Sequence, residues 1–218
     1  MKVAFVTKES KPGVREAITF LSKYFEQVDV YTGIRTEPIP VGLKESAHDI
    51  LISYLSPWII PKDILMKTSK WNINFHPGPP EYPGIGCFNF AIYNKEVCYG
   101  CTAHVMEPAV DTGEIIGVDR FELSDNETVE SLSSKTYSSM LNLFKQIMHI
   151  KENHGLPPCE EEWTRRPYRR VELEELAAID VNMSEEEVKA RIRATYYKGA
   201  PAPFIKIKGH KFEYNPDR

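Results

Sequence analysis

Apolar and polar positions along this chain alternate between a strand period and a helix period. Residues 2–6 (KVAFV) are apolar without interruption, the pattern of a strand buried on both faces of a sheet. Pro12 and Gly13 mark a loop. The spacing of Ala17, Leu21 and Tyr24, with Phe20 alongside, then predicts a helix to about Phe25. Residues 27–32 (QVDVYT) and 49–54 (DILISY) read as strands, separated by a polar, proline-containing loop over 33–47. Pro61 stands where a short helix would begin. Residues 71–76 (WNINFH) alternate strictly, and Pro77, Gly78, Pro79 and Pro80 end that strand at once. Residues 86–94 predict a short helix with Phe88, Ala91 and Ile92 inward; 99–106 (YGCTAHVM) and 115–123 (IIGVDRFEL) read as two more strands.

Ser124 and Glu127 have the spacing of a capping box. A long helix to about His154 follows, with Val129, Leu132, Thr136, Met140, Leu143, Ile147 and Ile150 on one face. Gly155, Pro157 and Pro158 stop it. Residues 160–180 are densely charged. Ser184 and Glu187 suggest a second capping box and a helix to about Tyr197. In 201–214, Ile205 and Ile207 alternate with Lys206 and Lys208, and Gly209 marks the turn of a hairpin. The strand–helix alternation predicts an α/β fold: a Rossmann-like, mostly parallel sheet with helices on both faces. A small C-terminal helix and β-hairpin subdomain is expected beyond it. The change of character near 155 suggests a catalytic domain over 1–155 and an accessory subdomain over 156–218.

A net charge of −4 over 218 residues argues against a surface that coats nucleic acid, and no nucleic-acid partner is expected. No run approaches the ~20 apolar residues of a membrane span. The N-terminus, MKVAFVTKES, reads as a first strand and lacks a signal-peptide pattern, so a cytoplasmic protein without a membrane partner is expected. Cys98 and Cys101 have the C-x-x-C spacing of a redox or zinc half-site, but Cys87 and Cys159 form no second pair. Cys101 reads more simply as a small buried residue in a strand, and no metal is expected.

The chemistry-bearing stretch runs from Asn74 to Gly113. Strand alternation places Asn74 and His76 on one face, with His76 at the carboxyl edge where open parallel sheets bind ligands. Asp111 arrives on a Val-Asp-Thr-Gly turn. An amide, an imidazole and a carboxylate can thus meet at one rim. Singly, each has a plainer reading: Asn74 as a turn residue, His76 as a satisfied polar group, Asp111 as an Asx-turn former. The first strand-to-helix loop, TKESKPG, has neither G-x-G-x-x-G nor G-x-x-x-x-G-K-[ST], which removes a dinucleotide or nucleoside-triphosphate cradle there.

Asn74, His76 and Pro77, then Gly100, Thr102 and His104, then Asp111 and Gly113 together resemble the motifs of the folate-dependent formyltransferases. Residues 51–65 look like that family's folate-loop segment. HPGPPEYPGIGCFNFAIYN, WTRRPYRRVELEEL and APAPFIKIKG are most similar to the nucleotide-sugar N-formyltransferases, with Cys101 where Val is expected. The resemblance covers nearly the whole chain and implies formyl transfer from N10-formyltetrahydrofolate to an amine. The amine attacks the formyl carbon, an oxyanion forms, and N10 leaves. Asn74 would donate to the oxyanion, an interaction worth about 3–4 kcal/mol where measured. His76 would move a proton or act as an electrostatic stabiliser, and Asp111 would orient it and stabilise its cation, or act through a water. His104 reads as a second layer behind these three or as a core histidine bonded to backbone.

The same resemblance implies folate contacts at Tyr54, Leu55, Ser56, Trp58, Ile59 and Ile60, and at Pro108, Ala109 and Asp111. The plainer reading makes Trp58 and Ile59 core residues. The expected acceptor is a nucleotide-linked amino-dideoxysugar such as dTDP-4-amino-4,6-dideoxyglucose, for surface polysaccharide biosynthesis. Pro80, Glu81, Tyr82, Tyr93 and Asn94 would read it, with its diphosphate on Arg165 and Arg166. Arg169 and Arg170 are further candidates, and all four arginines are also explained by a solvated face paired with Glu160–Glu162 and Glu172–Glu175. A homodimer is expected, with the final hairpin as a possible edge. Three rivals remain. Glycinamide ribonucleotide formyltransferase would need a glycine-rich first loop, and TKESKPG has one Gly. Methionyl-tRNA formyltransferase would need a larger, basic C-terminal domain. A folate- or nucleotide-sugar-binding protein without catalysis would not call for all three of Asn74, His76 and Asp111.

Overall fold

The computed structural model describes residues 1–216, with backbone alone at 150–154. Its elements run β1 (Lys2–Thr7), α1 (Val14–Tyr24), β2 (Gln27–Thr32), α2 (Val41–Glu45), β3 (His48–Tyr54), α3 (Lys62–Leu65), β4 (Thr68–His76), α4 (Cys87–Tyr93), β5 (Cys98–Val105), β6 (Ile115–Glu122), α5 (Val129–His154), α6 (Arg170–Ala177), β7 (Ala178–Ile179), α7 (Glu185–Thr195), β8 (Phe204–Ile207) and β9 (His210–Glu213). A six-stranded sheet has the order β2-β1-β3-β4-β5-β6. β2, β1, β3 and β4 are parallel, and β5 and β6 join antiparallel.

The uninterrupted apolar run of β1 has a simple cause. Val3 and Phe5 face a core built with α1 and α5, while Ala4 and Val6 face a second core built with α2 and α3. A strand covered on both faces has no polar side to show. The α5 face from Val129 to Ile147 is buried as the spacing predicts. Ile150, on the same predicted face, lies outside the described side chains.

Three local expectations change. Leu43 is buried among Ala4, Val6 and Leu51, and it turns part of the 33–47 loop into α2. Ser124 does bond Glu127, at 2.9 Å, but the helix begins later, with Thr128 as its N-cap bonded reciprocally to Ser131. The charged stretch holds α6, whose Leu173 and Leu176 anchor it to a third core containing Tyr82, Phe90, Tyr99 and Leu132. Ser184 caps α7 as expected, accepting from Glu187 N.

Ala194 of α7 belongs to that same third core, so the residues beyond 155 pack directly on α4 and α5. β7, β8 and β9 form a separate three-stranded sheet. Before α6 the chain lies along 80–85: Tyr168 N donates to Pro83 O at 2.9 Å, and Ile85 N donates to Tyr168 O at 3.0 Å. Gly84 permits this close approach, since a Cβ there would lie 2.4 Å from Tyr168 O. None of the described helices is long and apolar enough to cross a membrane. Cys101 is buried, with Sγ 3.3 Å from Ser139 Oγ, and Cys98 is exposed.

Candidate active site

The antiparallel register of β4 and β5 places Asn74 opposite His104 and His76 opposite Thr102. Paired residues share a face, so the amide and both rings project to one side of the sheet. Asp111 returns to that side on the turn between β5 and β6. Its φ of 48° is left-handed, a conformation Asp tolerates better than most residues. Gly113 lets the turn lie flat, because a Cβ there would stand 1.9 Å from Val105 O.

The structure brings Asn74, His76, His104 and Asp111 into one cluster. Asp111 Oδ2 lies 3.2 Å from His76 Nδ1, and Asp111 Oδ1 lies 3.2 Å from His104 Nε2. Gly84 N donates to Asp111 Oδ2 at 2.7 Å. Asn74 Nδ2 lies 2.9 Å from His104 Nε2 and 3.5 Å from Asp111 Oδ1. His76 Nε2 donates to Tyr82 O at 2.9 Å, and His104 Nδ1 donates to Val105 O at 2.8 Å. The two rings and the carboxylate are almost wholly buried. Burial alone would raise the Asp111 pKa. The charge of His76 first, then His104 and the Gly84 N–H, outweigh it and hold the acid at about 2.

Both ring nitrogens of His76 face oxygens that only accept. That pairing is complete when both nitrogens carry hydrogen, an imidazolium against the Asp111 carboxylate. Such a pair can stabilise negative charge appearing beside it.

A cavity of about 690 Å³ opens along the carboxyl ends of the parallel strands. That is within the ~300–1,000 Å³ common for small-molecule sites. Asn74, His76, His104 and Asp111 line it. So do Leu55, Ser56, Trp58, Ile59, Ile60 and Ala109, among the expected folate contacts. Two of that set stand elsewhere. Tyr54 points its ring into the core against Phe5, Phe75 and Phe144, on the opposite face from Ser53. Pro108 is exposed and does not border the cavity.

Of the expected acceptor contacts, Pro80, Glu81, Tyr82, Tyr93, Asn94, Arg165 and Arg166 do not line the cavity. Pro80 is buried, and its carbonyl accepts from Thr164 N. Glu81 pairs with Arg120, which also holds Glu161. Tyr82 is buried, its hydroxyl donating to Glu96 at 2.6 Å and accepting from Asn94 Nδ2 at 2.9 Å, which engages both residues. Tyr93 donates to Glu187 on α7 at 2.7 Å. Arg165 stacks on Tyr168, 3.2 Å from the ring centre, and Arg166 pairs with Glu172. The arginines that reach the cavity are Arg169 and Arg170.

Sequence reading missed other residues at the site. Lys8, after β1, and Arg35, after β2, line the cavity. Burial, then the neighbouring charges of Lys11 and Arg35, hold the Lys8 ammonium below its ordinary pKa. Trp163 sets its indole edge-on to His76 and His104, at 5.9 and 5.1 Å, and donates to Gly113 O at 2.8 Å. No spacing rule links Trp163 to a turn so far back in the chain; the signal is only its position in the segment that folds over 80–85.

The cavity fits a reduced folate by its own chemistry. Leu55, Trp58, Ile60, Ile39 and Met106 give flat or apolar walls, turn backbone supplies donors and acceptors, and the cationic rims suit carboxylates or phosphates.

Parts of this chain resemble known proteins. Residues 41–147 match the formyl transferase family model. Methionyl-tRNA formyltransferase of Clostridium tetani is 28% identical over 166 residues, 72% of this chain and 54% of that protein. GDP-perosamine N-formyltransferase of Brucella melitensis is 28% identical over 169 residues, 77% of this chain and 64% of that protein. The match with the Clostridium protein thus spans about half its length. A sugar N-formyltransferase from Shewanella superposes with a TM-score of 0.78 at 16% identity, covering 98% of this chain and 96% of that one. The N-formyltransferase from Helicobacter canadensis, solved with folinic acid and dTDP-3-aminofucose, superposes at 0.69 and 20% identity, covering 96% and 85%. At these identities the superpositions establish a shared fold.

Proposed function

We propose, for a chain that carries the formyl transferase domain over residues 41–147, that it moves a formyl group from N10-formyltetrahydrofolate to the amine of a nucleotide-linked amino sugar. One observation carries the reading: Asn74, His76 and Asp111 converge within hydrogen-bond range beside the cavity. The folate, when bound, supplies a formyl carbon activated by attachment to nitrogen. Leu55, Trp58, Ile60 and Met106 would wall its rings. An N–H of Asn74 would donate to the formyl oxygen as that atom gains negative charge. His76, held by Asp111, would add positive charge beside it. The proton shed by the attacking amine would leave through water, with the Asp111 carboxylate favouring its departure electrostatically.

The sugar reading is supported by the fold likeness to sugar N-formyltransferases along nearly the full length of both chains. The rim cations Arg169 and Arg170, and Lys8 and Arg35, suit a nucleotide diphosphate. A surface-polysaccharide role, a homodimer, a cytoplasmic location and an accessory subdomain over 156–218 belong to this proposal. The similarity to methionyl-tRNA formyltransferases makes the aminoacyl group of a charged tRNA the second reading.

The test is incubation with N10-formyltetrahydrofolate and a panel of dTDP-, UDP- and GDP-linked 3-amino and 4-amino dideoxysugars, followed by mass spectrometry. Addition of one formyl group to a panel member is expected. Transfer to methionyl-tRNA or glycinamide ribonucleotide alone would replace the sugar reading.

A further inference from the structure

His104 has no part in the reaction just described, yet both of its ring nitrogens are engaged. Nδ1 faces Val105 O, which only accepts, so Nδ1 carries a hydrogen. Nε2 lies 2.9 Å from Asn74 Nδ2 and 3.2 Å from Asp111 Oδ1. A hydrogen on Nε2 would suit the carboxylate, whereas a bare Nε2 suits the amide N–H. The atom cannot do both. Charge balance decides. The groups facing His104 are Asp111 from the β5–β6 turn, Asn74 from β4 and the uncharged indole of Trp163, and His76 shares Asp111 with it. His76, both of whose ring nitrogens face acceptor oxygens, is already the close partner of Asp111. A second imidazolium here would be a buried charge without a counter-ion.

We infer that His104 is a positioning residue: its bare Nε2 accepts one N–H of Asn74 and thereby fixes which end of that amide is presented to the site. A carboxamide has nearly the same shape with oxygen and nitrogen exchanged, so only hydrogen bonds choose between the two orientations. The chain of constraint runs from the Val105 carbonyl to the tautomer of His104, and from that tautomer to the amide. Held this way, Asn74 keeps its nitrogen toward Asp111 and His104. The longer of these contacts, 3.5 Å to Asp111 Oδ1, is the one a formyl oxygen would replace. Turned over, the amide would set Oδ1 against developing negative charge. The catalytic consequence rests on the formyl-transfer reading; the hydrogen-bond pattern does not.

The experiment therefore has two arms. In ligand-free, 15N-labelled protein near neutral pH, ring-nitrogen NMR reports the tautomer, with His104 assigned by loss of its signals in His104→Gln. A protonated Nδ1 and a bare Nε2 are expected. A ring protonated at Nε2, alone or together with Nδ1, overturns the inference. In the kinetic arm, His104→Leu should lower kcat about tenfold or more with the donor KM within about twofold, since a whole oxyanion donor is worth ~10²–10³ in kcat. His104→Gln, which restores an acceptor, should recover much of that loss. In an Asn74→Ala background His104→Leu should cost little more. Full kcat in His104→Leu, or additive losses in the double variant, overturns the inference. If no acceptor turns over, the functional reading fails, and the NMR arm still decides the lock.

Discussion

Asp111 Oδ2 lies 3.2 Å from His76 Nδ1, with both side chains nearly sealed from solvent. In the proposed reaction His76, held by Asp111, supplies positive charge at the formyl group. His76→Asn and Asp111→Asn should each lower kcat by about 10²-fold or more while the folate Kd changes by less than about threefold. Single-turnover kinetics and folate titration check this. Near-normal turnover in either variant removes that residue from the mechanism.

The same carboxylate makes stability depend on acid. Its folded-state pKa, about 2, lies below the ordinary 3.8. The stabilisation is therefore fully present above about pH 4 and is lost as pH falls toward about 2, amounting to ~2 kcal/mol. Urea unfolding at a series of acidic pH values should show that loss. The Asp111→Asn protein should show a visibly shallower dependence, and an unchanged slope would mean that the pair does not stabilise the fold.

Gly113 sets the height of the turn that carries Asp111, and a Cβ there would stand 1.9 Å from Val105 O. Backbone rather than a flexible side chain is in the way. Gly113→Ala should cost about 1–3 kcal/mol, the usual range for forced overpacking. It should also lower turnover, because Gly113 O holds Trp163 over the two histidines. Stability and activity both at the unmodified level would show that the turn can shift freely.

Arg169 and Arg170 border the cavity, whereas Arg166 is committed to Glu172. The Arg169→Ala/Arg170→Ala double variant should raise KM for a diphosphate-linked acceptor about tenfold, in line with loss of charge-assisted contacts, with folate affinity unchanged. Arg166→Ala should leave that KM unchanged. The reverse ranking would move the acceptor to the surface of Arg165 and Arg166.

Much of the fold was legible because buried strands and amphipathic helices write their environment into residue period. β1 is apolar at every position and is covered on both faces. The convergence of Asn74, His76 and Asp111 was legible for a related reason: alternation fixes the shared face of Asn74 and His76, and motif likeness supplied Asp111. Alternation also held the correction for Tyr54. It lies in step with Ile50 and Ile52, which face the core, and out of step with Ser53, which faces the cavity. The acceptor contacts were illegible for a different reason. Tyr82, Tyr93 and Asn94 are residue types that suit a sugar, but each found a protein partner once α7 and the 94–96 turn packed nearby. Only tertiary packing decides between a ligand and a neighbour, and no local pattern records it. α6 was hidden because its charges dominate the stretch and only Leu173 and Leu176 mark the buried side.

The most direct measurement uses N10-formyltetrahydrofolate carrying 13C in the formyl group, mixed with this protein and the panel of nucleotide-linked amino sugars. The account predicts that a 13C formamide resonance grows on one panel member's amine, in step with release of tetrahydrofolate, and that it vanishes with Asn74→Ala or His76→Asn. Label that stays on the folate or departs as formate across the whole panel, in protein that binds folate, would contradict it.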